Sequence, residues 1–184
     1  MRKRSLRSEV PKVGVLACQG AFAKHLEMLK KIGIPSFAVR TIEQLERCDG
    51  LILPGGESTT LEIVGKDLLE SIKSFNGMIF GTCAGAILLS KLGLLDIDVL
   101  RNGYGRQIAS KSATIIFEQQ PVEAIFIRAP IITEIGPSVK VLATYDGRAV
   151  AVEQGRYFAT TFHPELTEET IIHDYWLQRV FVTS

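Results

Sequence analysis

Short apolar runs separated by amphipathic stretches organise the first half of the chain. Val13-Gly14-Val15-Leu16-Ala17 reads as a buried strand. Phe22 to Ile32 then has helical spacing, with Leu26, Leu29 and Ile32 on one face. Gly33-Ile34-Pro35 ends that helix, and Ser36 to Arg40 supplies a second strand. Thr41 can cap a short helix running through Arg47. Leu51-Ile52-Leu53 is a third strand, closed by Pro54-Gly55-Gly56, and a helix is expected from Thr59 to Ser74. A fourth apolar run, Met78-Ile79-Phe80, follows Gly77.

Continuous apolar strands alternating with helices indicate a parallel sheet covered on both faces. The texture changes between about Val99 and Gly155. Segments 113–117, 124–127, 139–143 and 149–152 alternate or are β-branched, with Gly, Pro and Asp-Gly turns between them. They read as antiparallel additions and a sheet edge. A strand over 157–162 and a terminal helix over 168–181 complete the pattern. No internal repeat or interdomain linker interrupts it. The expected fold is a single α/β domain over residues 13–184, with a mostly parallel, open, flavodoxin-like sheet flanked by helices and carrying antiparallel additions.

Composition narrows the function classes. A chain of 184 residues can bury a substantial core without disulfides. A formal net charge of +1 gives no electrostatic case for nucleic-acid or membrane binding. Three widely spaced cysteines (Cys18, Cys48, Cys83) lack CxxC pairing, which argues against a disulfide framework or a cysteine metal site. No metal or cofactor is expected, and the cysteine usage suits a reducing cytoplasm. Residues 1–12 carry five basic residues against one acid and read as a disordered, solvated tail.

The chemistry concentrates at Gly81-Thr82-Cys83-Ala84-Gly85. A buried strand, a reactive side chain flanked by glycines and then a helix make the pattern of a nucleophile elbow. At a helix N-terminus, exposed amides and the helix dipole favour thiolate over thiol. The alternative is a small buried cysteine beside a packing glycine.

A cysteine nucleophile needs a base and a group to orient that base. His163, in Phe162-His163-Pro164-Glu165, follows an apolar strand and so emerges at the edge where open α/β sheets carry their sites. With Pro164 holding the intervening backbone extended, Glu165 would lie on the same side as His163 and reach its ring. His25 is expected on the surface of the first helix and His173 in the terminal helix, both structural or solvent-facing. The glycine pair before Glu57 and Ser58 can present backbone amides to a phosphate or to an oxyanion. The oxyanion reading uses Gly56 with Ala84, and the absence of a GKS/T ending argues against a P-loop.

These pieces together resemble the triad (class I) glutamine amidotransferases. Six motifs in order narrow the resemblance to the glutaminase subunits of pyridoxal 5′-phosphate synthase: Leu16-Ala17-Cys18-Gln19-Gly20, Pro54-Gly55-Gly56-Glu57-Ser58-Thr59, Gly81-Thr82-Cys83-Ala84-Gly85, Arg101-Asn102-Gly103-Tyr104-Gly105-Arg106-Gln107, Phe126-Ile127-Arg128-Ala129-Pro130 and Phe162-His163-Pro164-Glu165. The resemblance implies a Cys83–His163–Glu165 triad hydrolysing L-glutamine. It implies a glutamine site of Gly56, Glu57, Ser58, Arg101, Ile127 and Arg128. It further implies delivery of ammonia to a barrel-fold synthase subunit in a hetero-oligomer, with Gln19 a candidate to sense docking. Cys18, a shortened segment after the elbow helix and the basic tail depart from the usual pattern. The alternatives are a glutaminase for another synthase, a cysteine hydrolase of related fold, and a non-catalytic regulatory subunit.

Overall fold

A computed structural model describes residues 10–17, 21–56, 64–104 and 110–183. Its main sheet has seven strands. β1 (Val13–Leu16) pairs in parallel with β2 (Ser36–Val39) on one side and β3 (Gly50–Leu53) on the other. β4 (Met78–Thr82) adds parallel to β3. The next neighbour is the last strand in sequence, β11 (Tyr157–Thr160), parallel to β4. β10 (Arg148–Gln154) and β9 (Lys140–Tyr145) then extend the sheet antiparallel, giving the order β2-β1-β3-β4-β11-β10-β9. Two ribbons stand apart from it: β5 (Ile97–Leu100) with β8 (Ile131–Ile135), and β6 (Ser110–Phe117) with β7 (Gln120–Ile127).

Both faces of the central strands are apolar, so the sheet must be covered twice. Val13, Val15, Ile52, Phe80 and Phe158 face a core completed by α1 (Phe22–Ile32), α5 (Ile171–Thr183) and the β6–β7 ribbon. Leu16, Leu51, Leu53, Ile79 and Ala159 face the opposite core. That core is closed by α2 (Ile42–Leu45), α3 (Lys66–Lys73), α4 (Ala84–Lys91) and the β5–β8 ribbon. Adjacent strand residues thus alternate between two buried layers, which is why these strands read as unbroken apolar runs.

The single α/β domain with a mostly parallel sheet is as expected, and several local expectations need adjusting. Thr41 caps α2 through a reciprocal box with Gln44. Among the described residues of the Thr59–Ser74 segment, Val64 is helical and α3 begins afresh at Lys66, because Gly65 takes φ +79° and breaks the helical path between them. The antiparallel additions do not all join one edge: only β9 and β10 do. β5 and β8 escaped the sequence reading because neither alternates cleanly. They are strands because they pair with each other, from Ile97 opposite Ile135 to Leu100 opposite Ile131. Residues 1–9 of the basic tail lie outside the described residues, as do Cys18, Gln19, Glu57, Ser58, Arg106 and Gln107.

Candidate active site

The elbow forms because two backbones must approach where β4 hands over to α4. Cys83 sits at the junction with φ +51° and ψ −106°, a conformation L residues rarely adopt. A β-carbon on Gly81 would lie 2.6 Å from the Gly85 carbonyl oxygen, and one on Gly85 would lie 1.9 Å from the Leu53 carbonyl oxygen. Only glycine at both positions lets α4 pack against β3 and β4. The turn is tied to the neighbouring strand by the Cys83 amide, which donates to the Thr160 carbonyl at 2.8 Å.

β11 runs beside β4, with Thr160 opposite Thr82, so the chain leaving β11 passes the elbow. It brings His163, whose amide donates to the Ile125 carbonyl of β7 at 2.8 Å. The His163 Nδ1–H donates to Glu165 Oε1 at 2.7 Å, leaving Nε2 as the basic nitrogen. Cys83 lies close enough to the ring to raise its pKa. Its Sγ also lies 3.9 Å from the Ile127 carbonyl oxygen, as a donor. Cys83 and His163 are 8% and 7% exposed, while Glu165 is buried beneath them.

Glu165 reaches His163 by a different route from the one expected. Pro164–Leu166 is a turn of 3-10 helix, not extended chain. Proline suits the first position of a helical turn, where no amide hydrogen is required. Thr167 stabilises the turn by donating its hydroxyl to the Pro164 carbonyl at 3.1 Å. The tight turn, rather than strand alternation, folds the carboxylate back under the ring.

Electrostatics follow from this packing. Burial by itself would depress the His163 pKa. The neighbouring Cys83, the hydrogen bond donated to Glu165 and the Glu165 charge overcome that and raise it to about 10. Burial pushes Glu165 upward, but the pull of His25 and the hydrogen bond from His163 hold it below the usual carboxylate range. Cys48, by contrast, is pushed up to about 12 by burial, with its Sγ donating to the Leu45 carbonyl at 3.1 Å. It is a packing thiol.

The other residues expected at the site lie on several elements. Gly55 bridges the elbow and the first helix: its amide donates to Thr82 Oγ1 at 3.2 Å, and its carbonyl accepts from the Ala21 amide at 3.2 Å. Gly56 follows, exposed, at the end of the described part of that loop. Ala84 is the first residue of α4, where an amide has no acceptor within the helix. Ile127 ends β7 and Arg128 follows it at φ +44°. Arg101 follows Leu100, which pairs with Ile131, so both exposed arginines leave the same end of the β5–β8 ribbon. Among the described residues, no cluster of His, Cys, Asp and Glu could hold a metal ion. None of the described helices is long and apolar enough to cross a membrane.

The profile of the SNO glutamine amidotransferase family matches residues 15–182. The chain belongs to that family. A relative from Oenococcus oeni, named pyridoxal 5′-phosphate synthase subunit PdxT, is 46% identical over 182 residues, covering 91% of this chain and 95% of its own. One of the same name from Thermotoga maritima is 46% identical over 188 residues, covering 92% of this chain and 99% of its own. A solved glutamine amidotransferase structure superposes with a TM-score of 0.84 at 40% identity, covering 92% of this chain and 98% of that one. Within this amidotransferase fold the surprise is His25. It was expected on the surface and is fully buried, as is His173. Its position relative to Met28 and Leu29, at helical spacing on the inner face, was the available signal.

Proposed function

We propose that this chain is the glutaminase subunit of a pyridoxal 5′-phosphate synthase, with Cys83, His163 and Glu165 as its catalytic triad. The observation that carries the reading is the Cys83 elbow beside an imidazole whose Nδ1–H is committed to Glu165 at 2.7 Å. With His163 Nε2 holding the proton of Cys83, the thiolate attacks the side-chain amide carbon of L-glutamine. The oxyanion is held by the Gly56 and Ala84 amides. His163 returns its proton to the departing ammonia, leaving a glutamyl thioester on Cys83. Water, deprotonated by His163, then releases glutamate and frees the thiol.

Arg101 and Arg128 suit the substrate α-carboxylate through paired charge-assisted hydrogen bonds. The glutamine site is completed by Gly56, Glu57, Ser58 and Ile127. Ammonia passes to a barrel-fold synthase subunit in a hetero-oligomeric, cytoplasmic complex. The names borne by the relatives from Oenococcus oeni and Thermotoga maritima support this assignment over a different synthase partner.

The test is ammonia release from L-glutamine by the purified chain, with and without the barrel-fold synthase subunit. Turnover rising on addition of that subunit, and lost in Cys83→Ala, is expected. Stimulation by another synthase instead, or undiminished synthesis with Cys83→Ala, would overturn the reading.

A further inference from the structure

Beneath the triad lies a second polar chain that the mechanism above does not use. His25 of α1 and His173 of α5 are both 0% exposed. His25 Nδ1 lies 3.0 Å from His173 Nε2, and His25 Nε2 lies 3.1 Å from Thr82 Oγ1. The same Nε2 lies 3.5 Å from Glu165 Oε2, the carboxylate oxygen that His163 does not use. The Phe80 ring meets both imidazoles edge-on, at centroid distances of 6.3 and 5.7 Å. The titratable groups facing His25 are therefore His173 from α5, and Glu165 and His163 from the turn after β11.

The partners assign the protons. His173 Nδ1 is buried without a hydrogen-bond partner. Leaving a lone pair unpaired there costs less than leaving an N–H unpaired, so His173 carries its proton on Nε2 and donates to His25 Nδ1. His25 is then the Nε2–H tautomer and presents that hydrogen to Thr82 Oγ1 and Glu165 Oε2. The opposite tautomer would aim a lone pair at the carboxylate. Complete burial lowers the His25 pKa despite the opposing pull of Glu165, and burial takes His173 down to about 3. Both rings are neutral at pH 7.

We propose that His25, held in one tautomer by His173, is a positioning residue that orients Glu165 and keeps it ionised for His163. The proposal rests on Cys83, His163 and Glu165 acting as the triad. Glu165 Oε2 has no hydrogen-bond partner among the described residues, and His25 Nε2, hydrogen-bonded to Thr82 Oγ1, lies 3.5 Å from it. Contacts of this kind shorten as charge develops on the imidazole. A neutral donor suits the task because a buried imidazolium there would compete with His163 for the carboxylate. Removing the donor leaves the carboxylate more basic, so it takes up a proton at higher pH.

The experiment compares His25→Leu, His25→Gln and His173→Leu in the glutaminase–synthase complex. With His25→Leu, kcat for glutamine hydrolysis should fall about 10- to 100-fold, as for other outer-shell orienting groups. KM should change less than about twofold, since no substrate contact is lost. The acid limb of the kcat/KM profile should move up by about one pH unit. His25→Gln, whose amide can place an N–H near the Nε2 position, should restore kcat and the limb. His173→Leu should move the limb the same way. A wild-type limb in His25→Leu, or a His25→Gln variant as impaired as His25→Leu, would overturn the proposal and leave packing as the role of His25. If the leucine variants do not fold, nitrogen-15 spectra of the wild-type histidines decide. Neutral His25 protonated on Nε2 supports the proposal, while an Nδ1–H or doubly protonated ring ends it. Cys83→Ala is the separate control: activity surviving in it would sink the triad reading itself.

Discussion

Gly55 lies so close to His163 that a β-carbon on it would come within 2.5 Å of the imidazole Cε1 and 3.2 Å of the Cys83 Cβ. The glycine is therefore part of the wall that sets the ring against the thiol. Gly55→Ala is expected to displace the imidazole and lower kcat/KM for glutamine about 100-fold, the scale of an ångström-sized misplacement. Its far-ultraviolet circular dichroism should match the parent. Unimpaired ammonia release would show that the ring sits elsewhere during turnover.

Gly85→Ala acts on the fold instead. Its new β-carbon would sit 1.9 Å from the Leu53 carbonyl oxygen, and backbone cannot swing aside as a side chain can. Separating α4 from β3 should cost on the order of 3 kcal/mol. Urea unfolding reads that loss as a lower midpoint with little change in slope.

The strained elbow predicts an opposition between stability and activity. Replacing Cys83 by glycine relieves a positive φ, while replacing it by alanine keeps the β-carbon and the strain. Cys83→Gly should be about 1 kcal/mol more stable than Cys83→Ala, both without glutaminase activity. Equal thermal midpoints for the two would mean that the turn is relaxed around cysteine.

Glu165→Gln keeps the shape of the side chain and removes its charge. The His163 ring loses the acceptor that fixes its tautomer and the charge that raises its pKa. By analogy with the aspartate of the serine proteases, kcat should fall on the order of 10⁴-fold with KM little changed. A loss confined to KM would place Glu165 in substrate binding rather than orientation.

Stability should peak near neutral pH, for reasons of opposite sign on its two sides. His173 is lowered to about 3 in the folded chain, against about 6.5 when unfolded, so between those values only the unfolded chain binds its proton. Folding loses about 1.4 kcal/mol per pH unit as pH falls through that window. His163 is raised to about 10, so its contribution is complete below about 6.5 and is lost as pH climbs toward 10. Urea midpoints between pH 4 and 10 test both arms. His173→Leu should flatten the acid arm specifically, and an unchanged acid slope would place a charge on the buried ring.

The parallel half of the fold and most of the candidate site were legible along the chain because they are local. Apolar strands and amphipathic helices announce themselves within a few residues. The elbow glycines flank Cys83 directly, and His163 and Glu165 are two positions apart. Even there the 3-10 turn at Pro164 was read as extended chain, since proline is compatible with both conformations.

What only the tertiary structure decided depends on segments distant in sequence. β5 and β8 become strands through a pairing that joins residues 97–100 to residues 131–135. His25 looked like one more polar position on a helix surface, with lysines and a glutamate nearby. Its role depends on Thr82, 57 residues away, and on His173, 148 residues away. A histidine can be buried only where partners take up its hydrogen bonds, and those partners meet when α1 and α5 close over the same face of the sheet. Sequence alone singled out Cys83, His163 and the kind of turn that presents them. Folding decided what stands behind the carboxylate, because burial and hydrogen-bond geometry do not exist until the layers pack.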